Sequence, residues 1–265
     1  EYVNGRIDFL SKFEAGLDLT LSSNTIIAES ANTTGRVQFT SQQVRPIDGD
    51  PQSNIELLIG VERMRADDRY LYLPDGPKIE QGLKSTMARV GGAALDGTFF
   101  DSGAILRGSM LPGSDPAAKT FQSFYRLRDG TIRYAEGWPE IEGVEAFVST
   151  SDSLIDVVVT AGNSHGLSLD GARGTVRPAV DEGGERRNRL LVEGGATGLT
   201  QDALNFLSAS PLPDGLVDTV NNWRAAGDAQ VAIDVHLLLG SGEPVDVRTE
   251  LSIDENNLAL LDYGL

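Results

Sequence analysis

Length, composition and charge set the first limits on what this chain does. It has 265 residues, no cysteine, and 39 acidic against 22 basic side chains, for a formal net charge of −17. The charge argues against partners that bind through basic residues, namely nucleic-acid phosphates and anionic membrane surfaces. The lack of cysteine excludes disulfides and thiolate metal sites, and no run of about 18 apolar residues is present that would cross a membrane.

Most of the chain alternates between apolar and polar residues. Leu17, Leu19 and Leu21, for example, alternate with polar neighbours. Such alternation predicts strands with one dry and one wet face, as in antiparallel sheets solvated on one side. Similar runs lie at 36–44, 55–63, 94–100, 121–134, 144–150, 154–160, 167–176, 231–239 and 245–253. The predicted fold is therefore mainly β with a few short helices, an α+β arrangement.

One turn signal falls inside the run at 121–134. Arg128-Asp129-Gly130-Thr131 contains an Asp-Gly pair, which favours the positive φ angles of tight turns. The segment predicts a hairpin between 121–127 and 132–134.

Helices are expected in only two places. In the second half, a helical pair is predicted near 200–225: Thr200–Leu207, with Thr200 as its N-cap, and Leu216–Ala225, with Trp223 on its apolar face. A corresponding pair is predicted near 67–90 in the first half.

The two halves of the chain repeat one another. Val44-Arg45-Pro46 matches Val176-Arg177-Pro178, and the flanking residues agree in order with small drifts in spacing. We predict two tandem units, 1–130 and 131–265, each made of antiparallel strands plus a helical pair. Repeats of this size stack so that each unit completes its core against its neighbour, which predicts an elongated curved sheet or trough.

Only one short motif suggests catalysis. Residues 162–166 read Gly-Asn-Ser-His-Gly, which matches the G-x-S-x-G nucleophile elbow and would make Ser164 a nucleophile beside His165. That elbow joins a strand to a helix, whereas these residues join two predicted strands. A hairpin turn is the preferred interpretation, and a hydrolase remains an alternative.

No other group of residues predicts chemistry. The two histidines, His165 and His236, are far apart in sequence, and His236 falls on the wet side of its strand. We therefore expect no catalytic residues, no metal site, no cofactor and no enzymatic activity.

Three segments resemble the AsmA-like family in its YhdP branch. They are Val61–Asp67 with Tyr72–Pro74, Leu127–Pro139 with its Trp-Pro pair, and Ala203–Leu212 with its Ser-Pro-Leu ending. These motifs are structural and moderately specific, and the resemblance extends from about residue 5 to the end.

The resemblance implies a place and a role. Members of this family are large Gram-negative proteins anchored in the inner membrane, with most of their length in the periplasm. They are similar to bridge-like lipid carriers, whose β-units form a trough with an apolar floor. It implies phospholipid transport toward the outer membrane and support of its permeability barrier. This chain would be an interior periplasmic segment, partnered by acyl chains and neighbouring units, with membrane contact only through other parts of the protein.

If the trough is correct, apolar residues on the most regular strands should line it. The predicted lipid-groove residues are Ile155, Val157, Val159, Val231, Ile233, Val235, Val245 and Val247. Alternation alone does not distinguish an open groove from a closed sandwich core. The main alternative is a closed β-rich binding or scaffold module, although a glycan-binding face is disfavoured because aromatic residues make up only 6% of the chain.

Overall fold

The structure is a computed structural model. It describes residues 1–14, 16–68, 94–109, 111, 115, 118–133, 137–181, 183–210, 214–239 and 246–260. The first predicted helical pair, near 67–90, lies almost entirely outside these residues.

The described residues form one 14-stranded antiparallel sheet and two short helices. The helices α1 (Thr200–Ala209) and α2 (Asp214–Asn221) both lie between β12 and β13. The strands are β1 (Tyr2–Asn4), β2 (Ile7–Lys12), β3 (Gly16–Ser23), β4 (Ile26–Glu29), β5 (Thr33–Pro46), β6 (Gln52–Arg65), β7 (Ala94–Gly108), β8 (Thr120–Ile132), β9 (Ile141–Ser151), β10 (Leu154–Ser164), β11 (Leu167–Val180), β12 (Arg186–Leu199), β13 (Trp223–Leu239) and β14 (Asp246–Leu260).

The sheet is a meander. From β5 to β14 each strand pairs with the strand before it and the strand after it in sequence. Only the first four strands depart from this order. The beginning of β5 pairs with β4, and the end of β5 pairs with β3. On their other edges, β4 pairs with β1 and β3 pairs with β2. The predicted fold, mainly β and elongated along one sheet, is confirmed.

One face of the sheet holds the buried core, and we call it the inner face. Phe99 (β7), Leu127 (β8) and Ala146 (β9) are direct cross-strand partners and form the buried cluster with Ala66 and Val144. Val144 is 1% exposed and Leu127 is 4% exposed. Met64, Tyr125, Ile132, Ile141 and Val159 pack around the cluster, in keeping with a sheet that curves around its inner face.

A line of β-bulges accompanies this curvature. Register shifts follow Thr34 in β5, Phe100 in β7, Leu127 in β8, Val159 in β10 and Leu169 in β11, whereas β6–β7 and β10–β11 pair without a shift. A bulge inserts an extra residue, bends its strand and increases the local twist. Because the bulges lie at neighbouring positions, they form a crease across the sheet beside the buried cluster.

The predicted hairpin at Arg128–Thr131 was wrong. β8 runs through these residues as one strand, and the Asp-Gly pair serves a bulge in which Asp129 has a φ of 49°. The Asp-Gly pair does favour a positive φ angle, but positive φ angles occur in β-bulges as well as in tight turns. Continued pairing with β7 and β9 keeps the strand extended.

The helical pair near 200–225 is present, with two corrections. Thr200 is the first residue of α1 rather than its N-cap; the cap is Leu199, and the Thr200 hydroxyl donates a hydrogen bond to the carbonyl oxygen of Gly227 at 3.2 Å. The second helix ends at Asn221, and Trp223 begins β13, where it pairs with Leu260. Pairing of Trp223–Ala226 with β14 prevails over the local helical spacing.

The division into units 1–130 and 131–265 remains a prediction. Residue 130 lies within β8, and the sheet continues through it without interruption.

Replacing Leu127 with Ala should strongly destabilise the fold. Leu127 lies at the centre of the buried cluster, and removing such a side chain costs about 2–5 kcal/mol. Urea unfolding measures the loss. Leu154→Ala is the matched control, because Leu154 is 39% exposed at a turn. Equal losses for the two variants would show that the cluster is not the core.

Candidate functional site

The predicted groove residues on β10 and β13 all share the inner face. Val157 pairs with Val148 on β9 and with Gly174 on β11. Gly174 in turn pairs with Val192 on β12, and Val192 pairs with Val235 on β13. Ile155 and Val159 flank Val157, and Val231 and Ile233 continue the same face of β13. Val247 pairs with Val235 on β14. Val245 lies outside the described residues.

These residues form a continuous apolar floor across β8–β13. Three parallel rows cross the strands, and none of their members is charged. The rows are Leu127, Ala146, Val159, Ala172, Gly194, Ile233; Tyr125, Val148, Val157, Gly174, Val192, Val235; and Ser123, Thr150, Ile155, Val176, Leu190, Leu237. We call this surface the apolar floor.

The apolar floor is partly open along β10–β13. Ile155, Val157, Val159, Ile233 and Val235 are half-buried rather than buried. The described residues contain no second sheet that would face this one. The floor therefore differs from a sandwich core, in which a facing sheet covers such residues.

The few hydroxyl groups in the floor bond to one another. The Ser123 hydroxyl lies 2.7 Å from that of Thr150, and both residues are buried. Tyr125 packs edge-on to Phe99, with ring centroids 6.1 Å apart, and burial raises the pKa of its phenol. The phenol is therefore neutral at physiological pH, and the floor presents hydrocarbon and internally satisfied hydroxyls.

The opposite face, which we call the outer face, is charged beside the same strands. Asp156 lies between the inner-facing Ile155 and Val157, and its Oδ1 accepts a hydrogen bond from Arg177 Nη2 at 2.6 Å. On β13, Asp234 Oδ1 lies 3.0 Å from His236 Nε2. The contrast between faces gives the alternation in the sequence its physical meaning: beside these strands one face is charged, and the other is apolar.

The helices lie at one margin of the sheet, where β12 ends and β13 begins. There α1 packs against both strands, with Ala203 and Leu204 buried. The Phe206 ring lies 6.4 Å from that of Trp138 and 6.3 Å from that of His165, which belong to the loops at the ends of β8 and β10. This margin borders the floor where β12 ends and β13 begins.

The motif at 162–166 is a hairpin turn, as preferred. Ser164 pairs with Leu167, and the two intervening residues, His165 and Gly166, have φ angles of 52° and 85°. Two positive φ angles in a two-residue loop define the type I′ turn. The Ser164 hydroxyl is buried and donates to the carbonyl oxygen of Glu140 at 2.8 Å. A strand follows it instead of a helix, so the nucleophile-elbow geometry is absent here.

The described ranges contain no metal-binding cluster and no membrane-spanning helix. No group of three His, Asp or Glu side chains there converges as a metal site would require. His236 is exposed on the outer face, as predicted. Within those ranges, neither helix has the length and apolar character needed to cross a bilayer.

Sequence reasoning missed the buried cluster and the bulge line. Phe99, Leu127 and Val144 are buried on the inner face, yet their alternation is no cleaner than that of Val157. The bulges that separate them shift the alternation by one residue, so periodicity weakens where burial is greatest. The glycines and aspartates with positive φ, such as Asp101, Asp129 and Gly171, are the sequence signal that marks these shifts.

Comparison with known proteins identifies the family. A family model described as YhdP protein matches residues 4–264, so the chain belongs to the YhdP family. No curated protein and no solved structure matches the chain.

Replacing Ser164 with Ala should weaken the fold and leave no chemical phenotype. The variant loses one hydrogen bond to Glu140, which costs about 0.5–1.5 kcal/mol. Thermal or urea unfolding measures this loss, and Ser153→Ala, at an exposed turn, is the control. Labelling of the unmodified protein by a fluorophosphonate that disappears in Ser164→Ala would support the hydrolase instead.

Proposed function

We propose that this chain is a segment of a periplasmic bridge-like lipid-transfer protein, and that its apolar floor carries phospholipid acyl chains between the inner and outer membranes. The observation that carries the proposal is the half-exposed, uncharged floor running through Val157, Val192 and Val235. A water-exposed surface of this kind is unfavourable for the protein alone and becomes favourable when hydrocarbon covers it.

The size of the floor suits an acyl chain. From Ile155 to Val159 the strand advances roughly 13 Å, at about 3.3 Å per residue. An acyl chain fills half of a bilayer core, which is about 15 Å. Each methylene that leaves water contributes about 0.8 kcal/mol, so about ten methylenes offer about 8 kcal/mol before the cost of ordering the chain. No placed polar group is needed, in keeping with the internally bonded Ser123 and Thr150.

Membership in the YhdP family supports the same role. We infer that the full protein is anchored in the inner membrane of a Gram-negative cell, and that this segment joins neighbouring β-units at its edges. In that arrangement the exposed edges of β1, β2 and β14 become junctions rather than sites of uncontrolled pairing. The role is transport and support of the outer-membrane barrier, with no enzymatic step.

Site-specific photocrosslinking in cells tests the groove. A photoreactive residue placed at Val157 or at Val235 of the full-length protein should form phospholipid adducts, because both side chains lie on the apolar floor. Mass spectrometry of the purified protein detects the added lipid. The matched controls are probes at Asp156 and Asp234, one residue away in each strand and on the outer face.

The outcomes separate the two main interpretations. Lipid adducts at the valines and not at the aspartates establish a lipid-lined groove. Equal labelling at all four positions, or none, would mean that a closed β-rich binding or scaffold module is the better description.

A further inference from the structure

The outer face also carries an apolar patch, which the lipid groove does not use. Several large apolar residues are exposed in the middle of described strands β6–β10, and they lie close together. They include Phe124 at 44%, Phe147 at 38% and Val158 at 37% exposure, with Leu58 nearby on β6. We call these four residues with Phe100 the outer patch.

Cross-strand pairing makes the outer patch continuous. Phe147 pairs with Val158 on one side and with Arg126 on the other, and Arg126 pairs with Phe100. The Phe124 ring lies over Gly103, where an added Cβ would approach the ring to 3.1 Å. Four strand spacings separate Leu58 from Val158, so the outer patch extends roughly 20 Å across the sheet.

Arginine side chains contact or border the rings of the outer patch. The guanidinium carbon of Arg128 lies 4.4 Å from the centroid of the Phe100 ring, and that of Arg126 lies 6.0 Å from that of Phe147. Arg36 lies along Gly60 at the β5 side, and Arg173 pairs with Val158 at the β11 side. The nearby carboxylates are Glu145, 3.8 Å from Arg128, Glu193, the cross-strand neighbour of Arg173, and Glu56 and Asp156, which lie two residues from Leu58 and Val158 and form ion pairs with Arg107 and Arg177.

The local charge of the outer patch is thus opposite to that of the whole chain. Arg63, the cross-strand partner of Phe100, adds a fifth arginine, and two of the four nearby carboxylates, Glu56 and Asp156, are already paired with Arg107 and Arg177, on a chain of net charge −17. Phenylalanine and arginine are enriched in protein interfaces, where exposed rings form the anchors and charges select the partner.

We propose that the outer patch docks an acidic segment of another protein, which places apolar side chains on Phe124 and Phe147 and carboxylates on Arg126 and Arg128. A second copy of this chain is a poor occupant, because back-to-back pairing would oppose the same arginines. A membrane surface is disfavoured because the rest of the chain is strongly acidic and would be repelled by anionic lipid. The proposal does not depend on the groove, which lies on the other face.

Photocrosslinking at Phe147 in the full-length protein tests the docking surface. The expected product is an adduct with a different protein, and sequencing of the linked peptide should show apolar residues among an excess of Asp and Glu. The charge reversals Arg126→Glu and Arg128→Glu together should lower the yield about tenfold, as expected when interface anchors are lost. Arg189→Glu is the matched control, because Arg189 is exposed on β12 outside the outer patch.

Each other result overturns the proposal. Phospholipid adducts at Phe147 would make the outer patch a lipid surface, and linked peptides from the same protein would make it a self-association surface. No adduct, or an adduct whose yield is unchanged in the double reversal, would mean that the patch is merely solvated. Equal unfolding midpoints for the variants establish that folding is intact. Lipid labelling at Val157 is scored separately, so failure of the groove and failure of docking are distinguishable.

Discussion

The structure depends on the antiparallel pairing of each strand with its neighbours in sequence. From β5 onward this pairing consumes the backbone hydrogen bonds in a single layer, and no strand returns to form a facing layer within the described residues. The apolar face of a strand must nevertheless leave water. Curvature solves part of this problem by burying Phe99, Leu127 and Val144 against one another, and the uncovered remainder is the apolar floor.

The bulges and the helical margin decide where the inner face closes. Bulges at neighbouring positions of β5–β11 crease the sheet beside the buried cluster, and α1 packs across the ends of β12 and β13. Ile155, Val157, Val192 and Val235 lie away from the bulges and stay half-buried, whereas Ser123 and Thr150, at the β8–β9 end of the row through Ile155, are buried. One sheet thereby combines a packed region, which stabilises the fold, with an open region that hydrocarbon can occupy.

The two faces offer different kinds of recognition. The apolar floor has no charged residue and few hydroxyl groups, so its surface suits contact with hydrocarbon. The outer face has paired charges on β10–β13 and the Phe–Arg patch on β6–β10, where ring faces and guanidinium groups select by charge as well as by contact. Because neighbouring residues such as Phe147 and Val148 point to opposite faces, the proposed lipid and protein partners would contact the same strands from opposite sides.

The sequence by itself determined the strands, their dry and wet faces, and the placement of Ile155, Val157, Val159, Val231, Ile233 and Val235 on one face, because a period of two is a local property of extended backbone. It also indicated the hairpin at His165-Gly166. Only the tertiary structure decided that Asp129 belongs to a bulge, that Trp223 begins a strand, and that the dry face stays partly uncovered. Those outcomes depend on which strands pair and whether another layer packs against them, and alternation is the same in either case.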